Sequence, residues 1–306
     1  MSTWNFPHCL GAIDGKHIAI RKPVGTGSYF FNYKKFFSIV LMAVVNANYE
    51  FIMTDVGVNR RVSDGGVIAV TEFGRRMELA ELNLPEPKPI VQNGNKMPFV
   101  FVADDAFAMS ENLLKSYGGD KLEHDQRVFN YRQSRARRVS ENAFGILSAR
   151  FGVFRSAIQL SPEKATTITL ACCYLHNFLR KKSKNYLRPE SVDWEDADHE
   201  VHLAEWRDHQ NQLERLGPSR SRNIGAGARA VRDSFREYFC TQGHLGGLKK
   251  VRVNCSSKAL LQHGRKSNAR PLDHESDAPT ALQRCPLAIK NKFTYSYSLC
   301  RPCSRG

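Results

Sequence analysis

The chain has 306 residues, 42% hydrophobic and 25% charged, an ordinary globular balance that can bury a core without disulfide staples. Its net charge of +15 favours a polyanionic partner, yet the tail carries much of it: Thr241 to Gly306 holds 12 Lys/Arg against 3 Asp/Glu, the first 240 residues 33 against 27. Eight scattered cysteines form no disulfide framework, "MSTWNFPHCLG" lacks the basic start and apolar core of a signal peptide, and no apolar run approaches the ~20 residues that span a bilayer, so the expectation is a soluble intracellular protein.

In chain order, "CLGAIDGKHIAIRK" reads as a first strand, followed by the turn "PVGTGS". The runs "FFSIVLMAVVN" and "YEFIMTDVG" predict two more strands, and their short connections favour antiparallel pairing. "SDGGVIAVTEFGRRMELAELN" predicts a helix capped at Ser63 or Asp64, and "LPEPKP" a breaker-rich loop. "MPFVFVADDAF" is a short buried strand whose end carries acid, and Arg127 to Phe151 is a long helix with Phe129, Val139, Ala143, Phe144, Ile146 and Leu147 on one face. "SPEKATTITLACCYLHNFLRKKSK" has Ser161 as N-cap, Pro162 at the first helical position and basic residues in its last turn. From about Asn185 to Gly225 the chain is polar and charge-mixed, "ARAVRDSFREYF" is one more short amphipathic helix, and periodicity ends after Gly243.

Three acids occupy places where burial is expected: Asp14 inside the first strand, Asp104 at the end of "FVFVAD", and Glu141 on the long helix. Carboxylates converging from two strands and a helix suit hard Mg²⁺ or Mn²⁺ ions, which take oxygen ligands. Two such ions about 3.5–4 Å apart activate water and stabilise a leaving oxygen in phosphoryl transfer. The plain alternative is a solvated acid at a strand end, with Glu141 pairing Arg137 or Arg138 along the helix.

The surrounding words closely resemble the catalytic domain of PIF/Harbinger-type transposases and their domesticated nuclease relatives in the DDE superfamily. They are "WNFPHCLGAIDGKHIAI", "GSYFFNYKKFFSIVLMAVVNANYEF", "VGVNRRVSDGGV", "ELNLPEPKP", "MPFVFVADDAFAM", "VFNYRQSRARRVSENAFGILSARF" and "ACCYLHNFLR", in family order over most of residues 4 to 180. The resemblance implies an α/β, RNase H-like fold, a mixed sheet flanked by helices, with a low-order C-terminal extension. With the polar composition after Asn185 and the loss of periodicity after Gly243, the expected division is a nuclease domain (1–183), a polar linker with short helices (184–240) and a disordered basic tail (241–306). The resemblance further implies a nuclear, divalent-metal-dependent activity on DNA, with Asp14, Asp104 and Glu141 as the catalytic and metal-binding acids. A separately encoded Myb-like DNA-binding partner is implied as well.

Around these, Asp64 is either a helix N-cap or an accessory acid, and Asp105 a neighbour on the opposite strand face. Lys16 shares a strand face with Asp14, for a phosphate or a local ion pair. Arg132, Arg135 and Arg138 line a helix surface, as DNA-backbone contacts or as a solvated basic face. Gly145 and Ser148, one turn and two beyond Glu141, are expected to keep that face open to a duplex. His17 and His176 read as core or supporting histidines, "CRPC" (Cys300, Cys303) as incidental, and "RARR" and "RKKSK" as import-like basic clusters. Relatives carry a helical region ahead of the first catalytic strand, and Ala103 stands where they often have Gly. A catalytically inactive remnant serving as a DNA- or protein-binding module is therefore the competing expectation.

Overall fold

The eight residues "SIVLMAVV", all apolar but the first, are buried on both faces, which only a central strand sandwiched between layers achieves. The computed structural model describes residues 5–58, 68–196, 199–208, 213–217 and 224–241. In chain order the elements are β1 (Cys9–Ala19), β2 (Ser38–Val45), β3 (Phe51–Val58), α1 (Glu72–Glu78), β4 (Lys88–Pro89), β5 (Lys96–Met97), β6 (Val100–Ala103) and β7 (Leu113–Leu114). There follow α2 (His124–Arg150), α3 (Pro162–Lys182), β8 (Trp194–Glu195), β9 (Val201–His202), β10 (Glu214–Arg215) and α4 (Ala226–Cys240). No helix among the described residues is long and apolar enough to cross a membrane.

The main sheet runs β3-β2-β1-β6-β7, with β10 also on β1. The first three strands are antiparallel neighbours, as their short connections predict, whereas β1–β6 and β6–β7 are parallel. The sheet is therefore mixed and flanked by helices. Period-two alternation sends Ile39, Leu41, Ala43 and Val45 of β2 toward α2 and α3, and Val40, Met42 and Val44 to the opposite layer with Phe73 and Phe107. A third cluster joins Phe6 and Ala12 to Phe129 of α2 and Phe235 and Phe239 of α4. Residues beyond 184 thus contribute aromatic core.

Two helices follow their sequence signals closely. At α3, Ser161 caps the helix with Oγ 3.5 Å from the Lys164 amide, Pro162 opens it, and Arg180, Lys181 and Lys182 close it. At α2, the Gln126 side chain accepts a 3.1 Å bond from the Glu123 amide, so the helix starts three residues earlier than predicted. The first predicted helix is shorter than expected. Thr71 is its cap, taking a 3.0 Å bond from the Gly74 amide, and Ala80 in the left-handed region (φ 55°) ends it. Ser63 and Asp64, and the tail from residue 242 with its cysteine pair, lie outside the described residues.

Candidate active site

One edge of β1 is shared between two strands. β6 pairs along it in parallel as far as Ile13↔Ala103, and β10 then pairs antiparallel through Lys16↔Arg215 and His17↔Glu214. Asp14 falls in the gap between them. The parallel register sets Asp104, the residue after Ala103, beside Asp14 on the α2 side of the sheet. Asp14 is only 1% exposed; its Oδ1 accepts a 2.7 Å bond from the Gly15 amide. Lys16 Nζ stands 2.8 Å from Oδ2, an ion contact without hydrogen-bond alignment, and that oxygen has no hydrogen-bond partner. Lys16 also lies 5.4 Å from the Phe144 ring centroid, which fixes it against α2.

Asp104 leaves the strand in a tight turn, with Oδ1 accepting from the Ala106 amide at 2.9 Å. Burial first, then the negative charge of Asp14, push its carboxyl above the ordinary carboxylate range; Arg137, the Ala106 amide and Lys16 pull the other way. Two like charges have been brought together where water screens them poorly. Asp105 is exposed past the end of the strand, so it has no strand face to occupy.

Glu141 reaches the same cleft from α2. The Arg137 guanidinium bridges it to Asp104, with Nη2 2.9 Å from Glu141 Oε1 and Nη1 3.7 Å from Asp104 Oδ2. Two further arginines converge on Glu141: Arg215 Nη2 at 3.1 Å from Oε1 and Arg207 Nη2 at 3.4 Å from Oε2. Burial alone would raise the Glu141 carboxyl. The field of Arg137, Arg215, Lys16 and Arg207 overrides burial and holds it at about 2. Burial opposes the charge on Arg137 too, but Glu141, Asp104 and Asp14 keep that guanidinium above its ordinary range.

Several expected residues stand elsewhere. Arg132 is 3% exposed, bonded through Nη1 to Asn5 O (3.1 Å) and Oδ1 (2.6 Å), with its guanidinium 5.0 Å from the Phe239 ring. Its position under α4 corrects its reading as a DNA contact, because the side chain is spent inside the fold. Arg135 and Arg138 face Glu195 at 3.7 and 3.4 Å, so a phosphate would have to compete with that carboxylate. Gly145 is corrected as well. A Cβ there would fall within 2.5 Å of the Trp206 carbons Cδ2, Cε2 and Cε3, so the missing side chain makes room for an indole and not for a duplex. His176 is fully buried between Tyr186 Oη (2.9 Å) and Tyr49 O (2.8 Å), a core histidine.

Arg137, Arg207, Arg215 and Trp206 were not singled out from the sequence as parts of this cleft. Arg137 had a signal, its i−4 spacing from Glu141. The others lie in a stretch without periodicity. Asp193 anchors that stretch, accepting from Arg207 Nε at 2.8 Å and from the Ala204 amide at 2.9 Å, while Asn142 Oδ1 takes the Asp193 amide at 3.0 Å and Trp206 Nε1 at 3.2 Å.

Among the described residues no three His, Cys, Asp or Glu side chains stand together as a ready metal site. The fit to a hard divalent ion is nonetheless good at two of the acids. Asp14 offers a buried carboxylate oxygen lacking a hydrogen-bond partner, and Asp104 is an adjacent carboxylate whose charge is disfavoured until a cation offsets it. Glu141 faces the same cleft with both oxygens engaged by guanidinium groups.

Residues 13–177 match the family model described as DDE superfamily endonuclease. The chain is 26% identical over 176 residues to "Protein ALP1-like" of Arabidopsis thaliana, covering 56% of this chain and 43% of that protein. It is 24% identical over 174 residues to "Putative nuclease HARBI1" of Homo sapiens, and 25% identical over 174 residues to the protein of the same name in Xenopus laevis, covering 56% of this chain and 46% of each relative. It thus spans less than half the length of these curated relatives. No solved structure matches the chain. Because the family match covers more than half of the chain and runs from within β1, with Asp14, through α2, with Glu141, into α3, the chain belongs to the DDE superfamily endonucleases.

Proposed function

We propose that this chain is a metal-dependent DNA endonuclease of Harbinger-transposase descent, with Asp14, Asp104 and Glu141 as its catalytic acids. The observation that carries the reading is the cost borne at the end of β6. Asp104 is held half-buried beside Asp14, where burial and its neighbour's charge disfavour its own, and one guanidinium ties it to Glu141. The like-charge pair of Asp14 and Asp104 has no stabilising role of its own. An RNase H-like nuclease domain is supported by the strand order, three antiparallel strands followed by two parallel ones on the far side of β1.

In this reading Asp14 and Asp104 would hold the divalent ions, Mg²⁺ or Mn²⁺, and Glu141 would complete the set once Arg207 and Arg215 release it. When bound, the ions supply Lewis-acid activation of water and charge neutralisation at the leaving 3′ oxygen. The remaining work belongs to the chain. Lys16, fixed between Asp14 and Phe144, offers an ammonium to a phosphate oxygen, and Arg137 keeps Asp104 and Glu141 aimed into one cleft. The substrate is DNA and the compartment the nucleus. A Myb-like partner has no residue behind it among those described and is not part of the proposal.

The test is Mn²⁺- or Mg²⁺-dependent cleavage of duplex DNA by the purified chain. Asp14→Asn, Asp104→Asn and Glu141→Gln should each reduce it by about 100-fold or more; undiminished cleavage in all three would overturn the assignment. A second reading, a non-catalytic binding module, is favoured by one observation: three arginines already occupy the Glu141 carboxylate. Its signature is a folded chain that binds DNA but fails to bind Mn²⁺ at millimolar concentration.

A further inference from the structure

The cleft is closed by two short pieces of chain from beyond α3. A 3-10 turn at Glu205–Asp208 supplies Trp206 and Arg207, and β10 with Leu216 supplies Arg215. Trp206 fills the place vacant at Gly145, with the Arg207 guanidinium 4.3 Å from its ring centroid. Arg207 and Arg215 take opposite oxygens of Glu141. On the other face of the sheet, Leu216 sits where a Cβ at Gly15 would lie, 3.0 Å from Leu216 Cγ. The pieces therefore grip the sheet edge beside Asp14 from both sides.

We propose that these pieces form an autoinhibitory strap, which blocks Glu141 until a polyanion draws its arginines away. The inference rests on the acid assignment above and adds how that site is regulated. A guanidinium and a divalent cation compete for the same carboxylate oxygens, so strap and metal exclude one another at Glu141. The hold is also weak where it must open. β10 contributes only two register pairs to β1, and the Arg215 side chain is 53% exposed, within reach of a phosphate arriving from solvent. The stronger anchor, Asp193 on Arg207, lies at the far end of the strap. Opening then begins at β10, where Arg215 is released first. DNA would recruit Arg215 and Arg207 as phosphate ligands in the same act that frees Glu141, coupling substrate arrival to completion of the acid set.

The experiment titrates Mn²⁺ alone into the full chain and follows free Mn²⁺ by electron paramagnetic resonance. Arg215→Gln, an exposed change with little effect on folding, should bind Mn²⁺ about tenfold tighter than wild type, in the range of ordinary site coupling. Adding Asp14→Asn should abolish the gain. Hydrogen exchange gives an independent reading: saturating Mn²⁺ should speed exchange of the Arg215 and Leu216 amides. If wild type and Arg215→Gln bind equally and Asp14→Asn abolishes binding in both, the strap is refuted while the acid assignment stands. If neither binds Mn²⁺, both fall together. Tighter binding in Arg215→Gln that survives Asp14→Asn would place the metal elsewhere and also refute the strap. Unchanged exchange at Arg215 and Leu216 under saturating Mn²⁺ would refute it independently.

Discussion

Gly145→Ala should destabilise the protein, although it replaces glycine by alanine in the middle of a helix. Helix propensity favours the change by about 1 kcal/mol. Packing opposes it, because the new methyl would lie within 2.5 Å of three indole carbons of Trp206, against an ordinary carbon–carbon separation of about 3.5–4.0 Å. The ring must therefore retreat by roughly 1 Å or more. It is held by Arg207 at 4.3 Å and through Nε1 by Asn142 at 3.2 Å. Overpacking of this kind costs about 1–3 kcal/mol, so the net effect is a loss of up to about 2 kcal/mol. Trp206→Ala alone should cost about 3–5 kcal/mol. In that background Gly145→Ala has nothing to strike, and its sign should reverse to a gain of up to about 1 kcal/mol. Urea denaturation of the four-member cycle measures this. A stabilising Gly145→Ala in the presence of Trp206 would refute the packing of the strap on α2.

Three further outcomes follow from the charges. The Glu141 carboxyl, held at about 2, is depressed from its ordinary 4.5, so its contribution is complete above pH 4.5 and lost as pH falls toward 2; the shift corresponds to about 3 kcal/mol. Glu141→Gln should remove that acid-side slope from stability measured by urea denaturation at each pH. His176 is lowered by burial from 6.5 to about 4, so its neutral form stabilises the fold fully above pH 6.5 and loses about 3 kcal/mol of contribution as pH falls to 4; His176→Gln should flatten that window and leave the one below it. Asp104→Asn should raise the melting temperature at neutral pH, because burial and Asp14 disfavour its charge, and it should abolish stabilisation by Mn²⁺ in the same melts.

What could be read in advance follows the range of the physics involved. The β2 run, the Ser161–Pro162 cap of α3 and the apolar face of α2 are local patterns, and each appears where the sequence puts it. Glu141 was visible on its helix, and its neighbour Arg137 was one spacing away. The meaning of Gly145 was not visible. A small residue on a helix reports only that something comes close, and Trp206, 61 positions later in an aperiodic stretch, is what comes close. Arg132 misled for the same reason: its spacing with Arg135 and Arg138 suggests one basic surface, yet α4 covers it and leaves the other two facing Glu195. Long-range contacts made by segments without periodicity leave no local trace.

The shared edge of β1 bears on where such a gene can be cut. The family match ends at residue 177, yet the second half of β1 completes its backbone pairing with β10, and α4 seals Phe6 and Phe129. A fragment trimmed to the homologous segment would present an open strand edge beside a stripped apolar cluster around Phe129, the template on which chains stack into aggregates. Sequence relatedness and foldability therefore have different borders in this chain. Recombination that shuffles the endonuclease segment into a new context must carry the strand at 214–215 and the helix at 226–240 along, or find substitutes for both.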